Sequence, residues 1–206
     1  MGSTPSFSEF NPNVIRSQQM LVNDIENNFD YSKGVHECLL SGSVGSAKSI
    51  VAAHLGMMHC MKWPKARLLL GRRALPDLRD TIFTKCIEHM EGTVKTDGSI
   101  FREGVDYGYT STTCKMWFSN GSEVISRSWA DKKYKKLGSL EISAAIIEEL
   151  TENEGDDEQA MKFIRMRVGR LPHVLQSWII YCTNPSSPAH FAYKYFDIGA
   201  KQRERK

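Results

Sequence analysis

The sequence predicts an α/β protein with a mainly parallel central sheet flanked by helices, and three observations carry that reading. Short apolar runs that read as buried strands alternate with longer segments of helical period. A glycine-rich turn joins the first such strand to the first long helix. One stretch changes to period two around Asn120-Gly121 and adds a β-hairpin. Strands that alternate with helices favour a parallel sheet covered on both faces.

The elements follow in order. Residues 11–29 predict a helix, with Pro12 near its start and Val14, Ile15, Leu21, Val22 and Ile25 inside. Glu37–Ser41 is a short buried strand that runs into glycine. A helix is expected from Lys48 to about Met61, with Ile50, Val51, Leu55, Met58 and Met61 on its core face. Arg67–Leu70 is a second buried strand, and residues 76–90 a helix. Thr112–Phe118 and Glu123–Ser128 form the hairpin strands. Ser143–Ile147 is another central strand, followed by a helix over Asp156–Val168. Ser177–Thr183 is the last strand, and Ala189–Asp197 a closing helix.

The chain has 206 residues, 41% hydrophobic and 25% charged, which supplies one core and excludes a wholly disordered chain. No window approaches eighteen apolar residues, so no membrane-spanning helix is expected. The five cysteines are odd in number and scattered without a CxxC pair, which reads as reduced core residues and not as a disulfide frame or zinc site. The net charge of +3 is unevenly placed. Five basic residues lie between Lys194 and Lys206 and five between Arg127 and Lys136, whereas Glu148–Glu158 carries seven acids. Such segregation attracts a polyanion locally without identifying one.

Gly42-Ser43-Val44-Gly45-Ser46-Ala47-Lys48-Ser49 matches G-x-x-x-x-G-K-[ST] except that Ala47 replaces the second glycine. A buried strand enters it and a helix leaves it, as a phosphate-binding loop requires. The inward-facing N–H groups of such a loop form an anion nest, reinforced by the helix N-terminus. Lys48 is then placed for the β- and γ-phosphates, and Ser49 for Mg²⁺.

A nucleotide loop also needs a strand end that holds magnesium and activates water. Ala144–Ile147 leads directly into Glu148 and Glu149, and adjacent strand residues point to opposite sides. Glu148 is expected in the Mg²⁺ shell and Glu149 beside the attacking water. The strand at Ile179–Thr183 ends at Asn184-Pro185, where Asn184 is placed to sense the γ-phosphate. Ligands bind outside the carboxyl ends of strands in open α/β sheets, so the three ends converge.

These motifs, with Leu150-Thr151-Glu152, the segment Gly71–Asp80 and the run His190–Phe196, resemble the N-terminal ATPase domain of a tailed-bacteriophage terminase large subunit. The resemblance covers nearly the whole chain. It implies a P-loop NTPase fold of the ASCE type, and an ATP-hydrolysing motor that drives double-stranded DNA into a procapsid. By the resemblance, Lys48 and Ser49 are the Walker A pair, Glu148 the Walker B acid and Glu149 the catalytic carboxylate. Thr183 and Asn184 match the coupling motif, and Gln18 or Gln19 is the candidate adenine contact. The implied ligands are ATP and Mg²⁺. The implied partners are DNA, the portal protein, the small terminase subunit and further copies in a ring. The implied setting is the host cytoplasm, away from any membrane.

The expected division is an ATPase domain over residues 1–198 and a basic linker over 199–206, with no nuclease activity in this chain. Family members commonly carry a basic residue within the loop, where this sequence has Val44. With only Lys48 there, a further cation is expected from a neighbouring subunit, from Arg127, Lys135 or Lys136, or from Arg72, Arg73 or Arg79. Other readings of the same motifs are a helicase-like remodeller or a nucleotide-binding module without turnover.

Overall fold

The computed structural model describes residues 15–43, 45–130, 134–184, 187 and 189–196. Seven strands form one sheet: β1 (His36–Ser41), β2 (Arg67–Arg72), β3 (Tyr107–Thr110), β4 (Lys115–Phe118), β5 (Glu123–Ser128), β6 (Ala144–Ile147) and β7 (Trp178–Thr183). Their spatial order is β1-β7-β6-β2-β5-β4-β3. The first five of these are mutually parallel, and β4 and β3 extend the sheet antiparallel beyond β5. The helices are α1 (Arg16–Asn23), α2 (Lys48–Lys62), α3 (Leu75–Leu78), α4 (Thr84–Met90), α5 (Glu154–Arg165) and α6 (Phe191–Tyr195).

Strand alternation divides the core into two layers. Leu68, Leu70, Ala144, Ile146, Trp178 and Ile180 face α1, α2 and α4. Their neighbours Leu69, Ala145, Ile147, Ile179 and Tyr181 face the opposite layer with Trp129, α5 and α6. This period-two split of continuous apolar runs is what a doubly covered parallel sheet requires.

Helix α2 departs from its expected amphipathic form. Ala52, Ala53, His54, Gly56, Met57, His59 and Cys60 are buried along with Val51 and Leu55, while Ile50, Met58 and Met61 are only half-buried. The helix lies in the core, with α4 over its outer side, so no single stripe marks its inner face. Gly56 permits the close approach: a Cβ there would stand 2.7 Å from Leu68 Cδ2.

The described first helix is shorter than expected and ends in a π turn over Asp24–Asn28; residues 11–14 lie outside the described residues. A second π turn, Arg79–Phe83, joins α3 to α4. The first hairpin strand begins at Lys115, because 111–114 form a turn with Cys114 at φ +47°. The sequence reading missed β3 altogether; it pairs with β4 from Tyr107↔Phe118 to Thr110↔Lys115. At the hairpin tip Gly121 takes φ +84°, and Asn120 Nδ2 donates to Cys60 O at 2.8 Å, which satisfies a carbonyl at the end of α2. Helix α5 begins at Glu154, where the Asn153 side chain caps Asp156 N, and carries acids in its first turn and bases in its last.

Candidate nucleotide-binding site

The carboxyl ends of β1, β7 and β6 lie side by side, with β7 inserted between the strand of the glycine loop and the strand of the acidic pair. Backbone bonds fix the ends: Gly42 N donates to Thr183 O, Leu150 N to Cys182 O, and Glu148 N to Gly71 O.

The loop turns into α2 through Gly45 at φ +82° and Ala47 at φ +57°. Ala47 thus occupies the left-handed conformation for which glycine is the usual residue. No side chain caps this helix start, so its first N–H groups remain for an anion. Lys48 Nζ folds back over the loop, donating to Gly42 O at 2.6 Å, Ser43 O at 3.0 Å and Asn184 Oδ1 at 3.3 Å. Its cation therefore sits between the loop and the end of β7.

Ser49 Oγ donates to Glu148 Oε1 in a very short contact, which brings two hard oxygen donors together across α2 and β6. Oxygen donors of this kind suit Mg²⁺. Glu148 is 3% exposed, and its other oxygen accepts from Thr81 Oγ1 at 2.5 Å. Thr81 lies in the π turn between α3 and α4.

Glu149 follows with φ +48°, outside the strand. The expected separation of the two acids is present, but the left-handed turn produces it instead of strand alternation. Asn184 Nδ2 donates to Glu149 Oε2 at 3.1 Å, so Lys48, Asn184 and Glu149 form one hydrogen-bonded chain. Burial raises the Glu149 carboxyl above its usual value; Arg72 and Lys48 oppose this, and Glu148 and Glu152 add to it. Thr183 contributes from the next position inward, its hydroxyl bonded to that of Thr151 at 2.8 Å.

A cavity of about 240 Å³ opens beside the loop, lined by Gln18, Leu40, Gly42, Ser46, Lys48 and Val51 among others. Gln18 is 4% exposed and its Nε2 donates to Ala47 O at 3.4 Å. Gln19, the other candidate, is exposed and does not line this cavity. Val44 and Pro185 lie outside the described residues.

Of the cations expected from a neighbouring subunit, Arg72 lies beside the acidic pair of its own chain. Arg72, at the end of β2, places Nη1 3.9 Å from Glu148 Oε2 and donates through Nη2 to Glu152 Oε1 at 2.6 Å. Its Nη1 also donates to Thr81 Oγ1 at 3.3 Å. Neither Thr81 nor this placement of Arg72 was marked by sequence motif, since both depend on β2 lying beside β6. Arg127 and Arg79 instead contact Ser126 O and Asp80. Lys132, Lys133 and the 199–206 tail lie outside the described residues.

A glycine loop between strand and helix, an acid pair after a non-adjacent strand and a polar strand end between them define a P-loop NTPase fold of the ASCE type. Residues 36–206 match the family model for the phage terminase large subunit, and the chain belongs to that family. The large terminase of a thermophilic bacteriophage, solved with ADP, superposes with TM-score 0.62 at 14% identity, covering 93% of this chain and 42% of that one. The large-terminase ATPase domain of Thermus phage P74-26 superposes with TM-score 0.55 at 12% identity, covering 84% of this chain and 66% of that one. The chain thus spans less than half of the first of these proteins. No curated protein matches it. Among the described residues, no helix is long and apolar enough to cross a membrane.

Proposed function

We propose that this chain is the ATP-hydrolysing motor domain of a terminase large subunit, and that it drives double-stranded DNA into a procapsid. The observation that carries the proposal is the continuous arrangement Lys48–Asn184–Glu149 beside the Ser49–Glu148 pair. The ATPase domain is assigned to residues 1–198.

ATP lies with its phosphates in the loop Gly42–Ser49 and its base toward Gln18. Lys48 leaves the loop carbonyls for the β- and γ-phosphate oxygens. Ser49 and Glu148 hold Mg²⁺, which when bound neutralises phosphate charge. Glu149 accepts a hydrogen bond from the attacking water and takes its proton as the new O–P bond forms and the bond to the ADP oxygen breaks. Asn184 loses its contact with Lys48 when the lysine engages phosphate, so its strand end registers the presence of the γ-phosphate. Related structures solved with ADP and with ATP-γ-S support nucleotide occupancy of this fold. Partners are DNA, portal protein, small terminase subunit and further copies in a ring, and the setting is the host cytoplasm.

Phosphate release with Mg²⁺ and ATP, with and without double-stranded DNA and procapsids, tests the reading. Wild-type turnover should be stimulated by assembly, and Lys48→Ala should lose both ATP affinity and turnover. ATP affinity unchanged by Lys48→Ala would overturn the loop assignment.

A further inference from the structure

At the opposite end of β1 from the phosphate loop, three side chains of different chemistry converge. His36 and Cys38 are two residues apart on β1 and so share a face. Asp24 reaches them from the π turn that follows α1. The ligand atoms of Asp24, His36 and Cys38 all lie within 4.8 Å of one another. His36 Nε2 stands 2.6 Å from Asp24 Oδ2 and 3.0 Å from Cys38 Sγ. Phe29 stacks on the imidazole at 4.1 Å between ring centroids and fixes its plane.

One ring nitrogen carries either a hydrogen or a lone pair, so it serves a single partner well. Here two polar atoms from separate elements crowd the same nitrogen, and proton placement on a neutral ring satisfies only one. A cation placed among the three satisfies them together. We propose that Asp24, His36 and Cys38 bind one zinc-like transition-metal cation, with water completing the coordination. A nitrogen, a sulfur and a carboxylate oxygen form a borderline donor set suited to zinc and its neighbours rather than to Mg²⁺.

The geometry needs little adjustment. Tetrahedral zinc sets its nitrogen–oxygen and nitrogen–sulfur edges at about 3.4–3.6 Å. The two contacts therefore open by about 0.5–0.8 Å. A swing of the Asp24 side chain, 46% exposed, supplies the first opening and rotation of half-buried Cys38 about its Cα–Cβ bond the second, while His36, at 13%, stays under Phe29. The exposed side leaves room for water. Bound there, the cation ties the end of α1 to β1, and α1 carries Gln18 at the nucleotide cavity.

The test is zinc titration of chelator-stripped protein by competition with a chromophoric chelator, with cobalt(II) as a spectroscopic substitute. One zinc per chain is expected. His36→Gln, Cys38→Ser and Asp24→Asn should each weaken binding about tenfold or more. Cobalt should give a thiolate charge-transfer band that Cys38→Ser abolishes. Zinc affinity equal in wild type and Cys38→Ser, or a wild-type cobalt spectrum without a thiolate band, would overturn the proposal. Asp24→Asn changes a half-exposed position isosterically, and the wild-type cobalt spectrum needs no variant at all, so a misfolded His36→Gln protein leaves both criteria in force.

Discussion

Arg72→Ala removes the one guanidinium that faces Glu148, Glu152 and Thr81 together. The Arg72 side chain is 14% exposed, Glu148 4% and Glu152 28%, so these charges stand largely out of water. Removing one partner of a buried pair costs about 3–5 kcal/mol. Glu148 keeps its bonds from Ser49 and Thr81, and Glu152 keeps partial solvation, which reduces the figure to about 2–3 kcal/mol. For a chain of this size, that lowers the melting temperature by about 4–12 °C. The loss should depend on pH with a definite sign. Burial already raises Glu149 above its usual 4.5, and Arg72 is a lowering influence that the variant lacks. A carboxyl raised in the folded state stabilises fully below its unfolded value and loses that contribution as pH rises through the folded value. The gap between wild type and Arg72→Ala should therefore widen from about pH 4.5 toward neutrality. Thermal denaturation followed by circular dichroism across that range measures it. Equal melting temperatures at pH 7, or a gap that narrows with rising pH, would refute the reasoning.

Glu149→Gln keeps the shape that accepts from Asn184 and removes the proton acceptor. Titration calorimetry should find ATP binding near wild type while turnover falls about a hundredfold or more; retained turnover, with Glu148→Gln inactive, would reverse the two roles. Ala47→Gly frees a left-handed position at φ +57°, relieving about 1–2 kcal/mol of strain against about 0.5–1 kcal/mol of added unfolded-state entropy. A small rise in melting temperature is expected, and a fall of several degrees would show that the methyl group packs usefully. Asp157 accepts from Trp129 Nε1 and Asn153 N, both at 2.7 Å, and burial pushes its carboxyl up to about 6. Its stabilising contribution is lost as pH rises between about 4 and 6, so Asp157→Asn should remove that part of the pH dependence of the melting temperature. Identical pH profiles for the two proteins would contradict it.

The features legible in the sequence are those whose chemistry is contiguous. Gly42–Ser49 and Glu148-Glu149 each announce themselves because loop, strand and charged group follow one another without a break. Arg72 and Thr81 were not legible as a pair of supports for Glu148, because their meeting depends on β2 being hydrogen-bonded to β6. No spacing along the chain encodes that adjacency. The π turn at Arg79–Phe83 also shifts the helical phase on which a periodicity argument relies. Gln18 and Gln19 differ by about 100° around a helix, and only the packed position of α1 decides which of them is turned inward. In α2, burial around most of the circumference erased the stripe that would have identified its inner face.

The loop that follows Ser41 hangs from a border strand. Among the described residues β1 has a single hydrogen-bonded neighbour, β7, and the six register pairs His36↔Trp178 to Ser41↔Thr183 are its whole attachment to the sheet. A central strand is gripped from both flanks, whereas a border strand is held along one seam. Asn184 sits at the loop end of that seam, immediately after Thr183. The end of β7 is therefore joined to the loop twice, through that ladder of parallel bonds and through the Asn184–Lys48 contact.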